Sequence, residues 1–222
     1  LIGNKVQEEE LWDCLTCGAC EQECPVGVEH IDTIVDMRRN LVMEQGRMPE
    51  TAQAALLSME QRGHPWRGTT HSRNDWAEGL DVKRLVDFPD TEILLWIGCT
   101  VALEKRSQNV ARSMVSVLKR AGVDFAILGI EETCTGDPAR RMGNEYLYQT
   151  MAMRNIETFR NYGVKRILTL CPHCFNSLKN EYPHLGGDYQ VQHYSEFVDE
   201  LIKDGKIRPI VTVDTKMAYH DS

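Results

Sequence analysis

Four cysteines, Cys14, Cys17, Cys20 and Cys24, fall within one short run that closes on Pro25. Spacings of two and three residues are too tight for these thiols to pair readily with one another as disulfides. No secretory signal precedes them, since the start is polar and acidic from Gln7 to Glu10. A reducing setting is therefore expected, and clustered thiols there mean metal or redox chemistry. In Cys-x2-Cys-x2-Cys-x3-Cys-Pro, three thiolates two residues apart wrap one iron–sulfur cube, and a turn fixed by the proline displaces the fourth. Structural zinc favours ligand pairs separated by a longer loop. The expectation is a [4Fe-4S] cluster on these four cysteines. Either Cys24 completes it, or Cys24 serves a partner run upstream of Leu1. Gly18 and Ala19 leave room for backbone N–H groups at the sulfurs, which raises a cluster's potential.

The other four cysteines, Cys99, Cys134, Cys171 and Cys174, are dispersed. A tetrahedral zinc site and a second [4Fe-4S] cluster both fit four thiolates. Cys171-Pro172-His173-Cys174 at a helix start also suits a dithiol redox pair, because a helix N-terminus lowers the first thiol's pKa. Reduced core thiols remain a fourth reading. No catalytic residue is singled out. His30, His64, His71 and His184 read as surface groups, His173 as a helix-turn surface residue, and His193 as preceding an N-cap at Ser195. Arg140 and Arg141 would either neutralise a cluster or form salt bridges along a helix. The nine methionines read as core filler.

The elements that position these thiols follow from periodicity. Residues 30–44 carry apolar positions at helical spacing, Gly46 and Pro49 stop that run, and Thr51 opens a second helix. Residues 62–90 are polar and punctuated by Gly63, Pro65, Gly68, Gly79 and Pro89, the pattern of a linker or wrapping segment that Trp66 and Trp76 pin down. From residue 92 strands and helices alternate. Ile93–Ile97, Phe125–Leu128 and Arg166–Leu170 read as strands, with weaker candidates at Val191–Tyr194 and Ile210–Val213. Helices are expected over 104–121, from Pro138 to about Gly163, and over 195–204. This is an α/β pattern with a mostly parallel sheet flanked by helices, behind an all-α N-terminal unit. Cys99, Cys134 and Cys171 each follow a strand, so they should meet at one sheet edge. The boundaries are 1–62 for the helical unit, 63–91 for the linker and 92–222 for the α/β domain.

The chain of 222 residues is 42% hydrophobic and 26% charged, the mix of an ordinary globular protein. Its 25 basic and 33 acidic residues give −8, which argues against a nucleic-acid partner. The longest apolar run, Ile93 to Gly98, is too short to span a bilayer. Neither a G-x-G-x-x-G motif nor a P-loop is present, so no nucleotide or flavin site is expected within these residues. The first residue is Leu1, so the sequence reads as processed, cut, or part of a longer product.

The loop Glu131-Glu132-Thr133-Cys134-Thr135-Gly136-Asp137-Pro138-Ala139-Arg140-Arg141, with Gly143-Asn144-Glu145, resembles the cysteine-rich (CCG) domain of heterodisulfide-reductase-related iron–sulfur proteins. Gly98-Cys99 before it and Cys171-Pro172-His173-Cys174 after it keep that family's order. Trp12, Cys14–Pro25 and Met37-Arg38-Arg39 resemble the helical [4Fe-4S] ferredoxin half of the same proteins. The look is nearest to the branch linked to electron-transfer flavoprotein, and the likeness covers about residues 8–187. It implies an iron–sulfur relay between a flavoprotein or dehydrogenase subunit and a membrane quinone or haem b partner, at the cytoplasmic face. A thiol–disulfide reductase subunit and a zinc-stabilised, non-redox interaction module are the rival readings. The family carries two ferredoxin runs and two cysteine-rich repeats, and Tyr219-His220-Asp221-Ser222 looks like the opening of the second repeat. One departure stands out. The family has two adjacent cysteines before the glycine, and this chain has Cys134-Thr135-Gly136. Four cysteines do not reproduce the five that hold the family's disulfide-cleaving cluster, so that reaction is not expected in this repeat.

Overall fold

The computed structural model describes residues 2–218, and Tyr219 to Ser222 lie outside the described residues. Five parallel strands form one sheet: β1 (Lys83–Arg84), β2 (Ile93–Trp96), β3 (Phe125–Ile127), β4 (Arg166–Thr169) and β5 (Gln190–His193), in the order β1-β3-β2-β4-β5. The helices are α1 (Glu8–Asp13), α2 (Ala19–Gln22), α3 (Ile31–Arg39), α4 (Glu50–Arg62), α5 (Cys99–Leu103), α6 (Lys105–Arg120), α7 (Asp137–Arg141), α8 (Glu145–Asn161), α9 (Pro172–Asn176) and α10 (Tyr194–Lys203). α3 runs straight into a π-helical turn, Asn40–Glu44, so residues 31–44 form one helical run, as the periodicity predicts. No helix among the described residues is long and apolar enough to cross a membrane.

The inner strands β2 and β3 are apolar and buried throughout because both faces are covered, as parallel sheets require, whereas the edge strands β1 and β5 carry polar residues. Alternate side chains point to opposite faces. Leu94, Trp96, Ala126 and Ile167 pack with α8, while Ile93, Leu95, Phe125, Ile127 and Leu168 pack with α6 and α10. Val42, Leu56 and Met59, from the N-terminal helices, join the α8 side of the core. The segment 63–91 does more than connect. It supplies edge strand β1, buries Trp76 and Leu85 in opposite core layers, and leaves Trp66 43% exposed.

The chain moves outward from β2 in both directions, to β3 on one side and β4 on the other. The reversal lies between β2 and β4, and ligands in open α/β sheets sit beyond the strand ends at such a point. The register Trp96↔Thr169 brings the loops entering Cys99 and Cys171 side by side there.

Four expectations need correction. Ile210–Val213 is not a strand: it is irregular, with Ile210 87% exposed, and among the described residues no strand pairs with it. The single helix expected from Pro138 breaks into α7 and α8 at Gly143, which takes φ +84° where the backbone of α3 passes too close for any Cβ. His64 is buried rather than at the surface. The N-cap of α10 is His193 itself, whose Nδ1 meets Ser195 Oγ at 2.8 Å.

Candidate metal centres

The run from Cys14 to Cys24 is a loop wrapped around one short helix. Cys14 ends α1, Gly18 turns the chain through φ +77°, and α2 carries Cys20. Backbone N–H groups reach the sulfurs, Thr16 N–H to Cys14 Sγ at 3.3 Å and Val28 N–H to Cys24 Sγ at 3.4 Å. Hydrogen bonds from the Val28 and Val26 N–H groups hold the Cys24 thiol below its ordinary pKa, which favours the thiolate that a metal requires. His30 lies partly exposed at the surface, and its Nε2 is 3.1 Å from Cys20 Sγ. Glu21 fixes it there, accepting from the His30 and Ile31 N–H groups at 2.5 and 2.6 Å and so capping α3.

The second set gathers from three strand ends, as expected. Cys99 opens α5 after β2, Cys134 lies in the loop between β3 and α7, and Cys171 and Cys174 flank the start of α9 after β4. Gly98 is needed between them. Its φ is +79°, and a Cβ there would stand 3.3 Å from Cys171 Cβ and 3.4 Å from Cys174 Sγ. The thiols interact as two pairs. Cys134 lowers the pKa of Cys99, and Cys174 lowers that of Cys171 to about 6, while Cys134 and Cys174 are both pushed up. Thr135 Oγ1, where the related pattern has a second cysteine, lies 3.9 Å from Cys174 Sγ.

A buried polar frame holds these loops. Glu132, 3% exposed, accepts from the Ile97 and Gly98 N–H groups at 3.0 and 2.7 Å and pairs with Arg73 at 3.0 Å. Burial pushes its carboxyl pKa up, opposed by Arg73. Asn155 donates to the Cys134 carbonyl and to Tyr182 Oη, both at 3.0 Å, and accepts from Thr133 Oγ1 at 2.9 Å. Tyr182 Oη in turn donates to the Thr135 carbonyl at 3.0 Å. Arg141 forms a salt bridge along its helix, to Asp137, and both Arg140 and Arg141 converge on Glu181 outside it. His173 is exposed as expected and pairs with Asp137 at 3.1 Å.

One residue joins the two sets. Arg38 is buried, and its guanidinium donates to the Leu11 carbonyl, to the Cys14 carbonyl at 2.5 Å and to the Arg141 carbonyl at 2.8 Å. Arg141 Nε continues to Asp137 at 3.2 Å, and Asp137 to His173. A chain of polar contacts thus runs from the first cysteine set to the second.

The donor chemistry fits an iron–sulfur cluster: two four-thiol sets, with N–H groups aimed at sulfur in the first. By donor type a tetrahedral zinc fits four thiolates as well. Arg73, Asn155 and Tyr182 escape the sequence reading, and Glu132 enters it only as part of the resembling loop. Asn155 had a signal, a lone amide inside the apolar stripe Leu147, Met151, Ile156 and Phe159 of α8.

Residues 93–179 match the family model of the cysteine-rich (CCG) domain. The EtfAB:quinone oxidoreductase of Syntrophomonas wolfei is 47% identical over the whole chain, which spans 32% of that protein. A probable membrane-anchored ferredoxin of Chromohalobacter salexigens is 40% identical over 97% of the chain and 33% of its own length. One polypeptide of the dihydromethanophenazine:CoB–CoM heterodisulfide reductase of Methanosarcina barkeri is 30% identical over 96% of the chain and 52% of its own length. The chain thus spans a third to a half of these relatives. No solved structure matches it.

Proposed function

With residues 93–179 a cysteine-rich domain, and the whole chain a relative of the heterodisulfide-reductase-related and flavoprotein-linked iron–sulfur oxidoreductases, we propose that it is the electron-relay portion of such an enzyme. Cys14, Cys17, Cys20 and Cys24 would hold a [4Fe-4S] cluster in an all-α ferredoxin-type unit, residues 1–62. Cys99, Cys134, Cys171 and Cys174 would hold a second cluster, or zinc, in the cysteine-rich unit from residue 92. A bound [4Fe-4S] cluster supplies one-electron exchange without touching substrate. The residues around it set how readily that happens. N–H groups at Cys14 and Cys24 and the His30 imidazole at Cys20 stabilise charge on sulfur, and Thr135 does so at Cys174. The partners are an electron-transfer flavoprotein or dehydrogenase subunit on one side and a membrane quinone or haem b on the other. This relay is assigned to the cytoplasmic face of the membrane.

The observation that carries the reading is the meeting of Cys99, Cys134, Cys171 and Cys174 at the sheet's topological switch point, joined through Arg38 to a second four-thiol loop. The test is iron, zinc and acid-labile sulfide per chain after purification without oxygen. About eight irons with matching sulfide are expected, four for each cube. Iron for one cube plus one zinc would confine electron transfer to the first set and make the second a docking scaffold. Sulfide near zero would overturn the relay. Cys134→Ser should remove one electron-paramagnetic signal. Loss of turnover with a disulfide substrate would instead support the reductase reading.

A further inference from the structure

Beside the Cys134 loop, on the side facing α4 and α8, lies a cleft of about 630 Å³, within the size range of small-molecule sites. Its charge runs against that of the chain. On a molecule of net −8, it gathers the guanidiniums of Arg62, Arg73 and Arg154. Arg73 is taken up by Glu132, but Arg62 is held only by the Ser58 hydroxyl and the Trp66 carbonyl. Among the described residues neither Arg62 nor Arg154 has an ion-pair partner. Glu60 is the remaining carboxylate in the lining.

His64 supplies an independent observation. It lines the cleft, is 8% exposed, and its Nδ1 has no hydrogen-bond partner. Burial, then Arg73 and Arg62, hold its pKa below the ordinary value. The cleft lining thus includes a buried ring nitrogen without a polar partner. Part of the lining is apolar. Met59, Leu147 and Met151 form the wall, and Ile130 and Tyr146, 72% and 75% exposed, stand at the rim. Tyr146, Thr150 and Arg154 repeat every four residues along α8, so one helix face presents ring, hydroxyl and guanidinium in series.

We propose that this cleft binds a small amphiphilic organic anion, its carboxylate or phosphate held by Arg62 and Arg154 and its apolar body against Met59, Met151 and Tyr146. The ligand would lie against Glu132 and Thr133, and the floor at Gly63 accepts the Cys134 N–H at 2.8 Å. The proposal stands apart from the relay reading, because its site contains none of the eight cysteines.

Isothermal titration of the 222-residue chain with octyl phosphate, octanoate, octanol and inorganic phosphate tests it. The two amphiphilic anions should bind one per chain, and octanol and inorganic phosphate at least about tenfold more weakly. Arg154→Gln and Arg62→Gln should each weaken octyl phosphate about tenfold or more, the usual effect of losing one charge-assisted hydrogen bond. Arg208→Gln, outside the cleft, should change nothing, and circular dichroism confirms that each variant is folded. Arg154 is exposed and unpaired, so its variant tests the site even where Arg62→Gln does not fold. Absence of saturable binding at millimolar probe overturns the proposal. So does octanol binding as tightly as octyl phosphate, or Arg154→Gln in a folded chain leaving the affinity unchanged.

Discussion

Glu132 positions Cys99 without touching it. Its buried carboxylate grips the two N–H groups ahead of the cysteine, and Arg73 supplies the countercharge. Arg73→Met strands that charge, so urea unfolding should show a loss of about 3–5 kcal/mol, the usual effect of breaking a buried pair. Gly98→Ala acts more locally. It forces a Cβ into a glycine-only conformation beside two thiols, which costs about 1–3 kcal/mol of backbone strain, and metal bound by the second set should fall together with the melting temperature. His64 carries a pH dependence. Its folded pKa lies below the unfolded 6.5, so the unfolded chain takes up the proton first as pH falls. Its contribution is intact above about pH 6.5 and is lost as pH falls from there to its folded pKa. Wild type should therefore lose more stability between pH 7 and pH 5 than His64→Gln, by denaturant titration at each pH. At this scale the sequence discloses the thiols and little of what orients them. Thiols in tight spacing have few uses, whereas Glu132 and Arg73 lie far apart in sequence, and the arginine stands in a stretch with no periodicity. His64 was misjudged because the same stretch reads as polar cover.

Helix α8 shows where pattern succeeds and where it needs the fold. Its apolar stripe packs against the sheet, and Asn155 breaks that stripe to hold the Cys134 loop. Asn155→Leu would keep the helix and leave the Cys134 carbonyl without that donor. A loss of about 1–3 kcal/mol per unsatisfied group is expected in thermal unfolding, with helix content unchanged. The central strands were legible because burial on both faces makes them short, continuous apolar runs. Ile210–Val213 has the same composition without a partner strand, and composition alone carries no information about neighbours. Gly143 misled for a related reason. A glycine within a helical pattern looks tolerable until another backbone is found pressed against it.

Across the molecule, the helical N-terminal segment and the cysteine-rich unit share core residues, and their seam is made largely of main chain. A Cβ on Gly143 would lie 2.5 Å from the Arg38 carbonyl carbon, Arg38 bonds across to Arg141, Arg39 pairs with Glu145 at 2.7 Å, and Cys134 N–H bonds to Gly63. Gly143→Ala cannot be absorbed by rotating a side chain. It should cost on the order of 3 kcal/mol or more and expose the seam to limited proteolysis. A seam of this kind has a kinetic consequence. A carrier that swings between donor and acceptor slows as the solvent thickens, because each delivery waits on diffusion. Here the two thiol sets are clamped across the seam by one guanidinium and one bare glycine. Under the relay reading, passage from one set to the other should stay level as glycerol is added, and only the encounter with an outside partner should feel the viscosity.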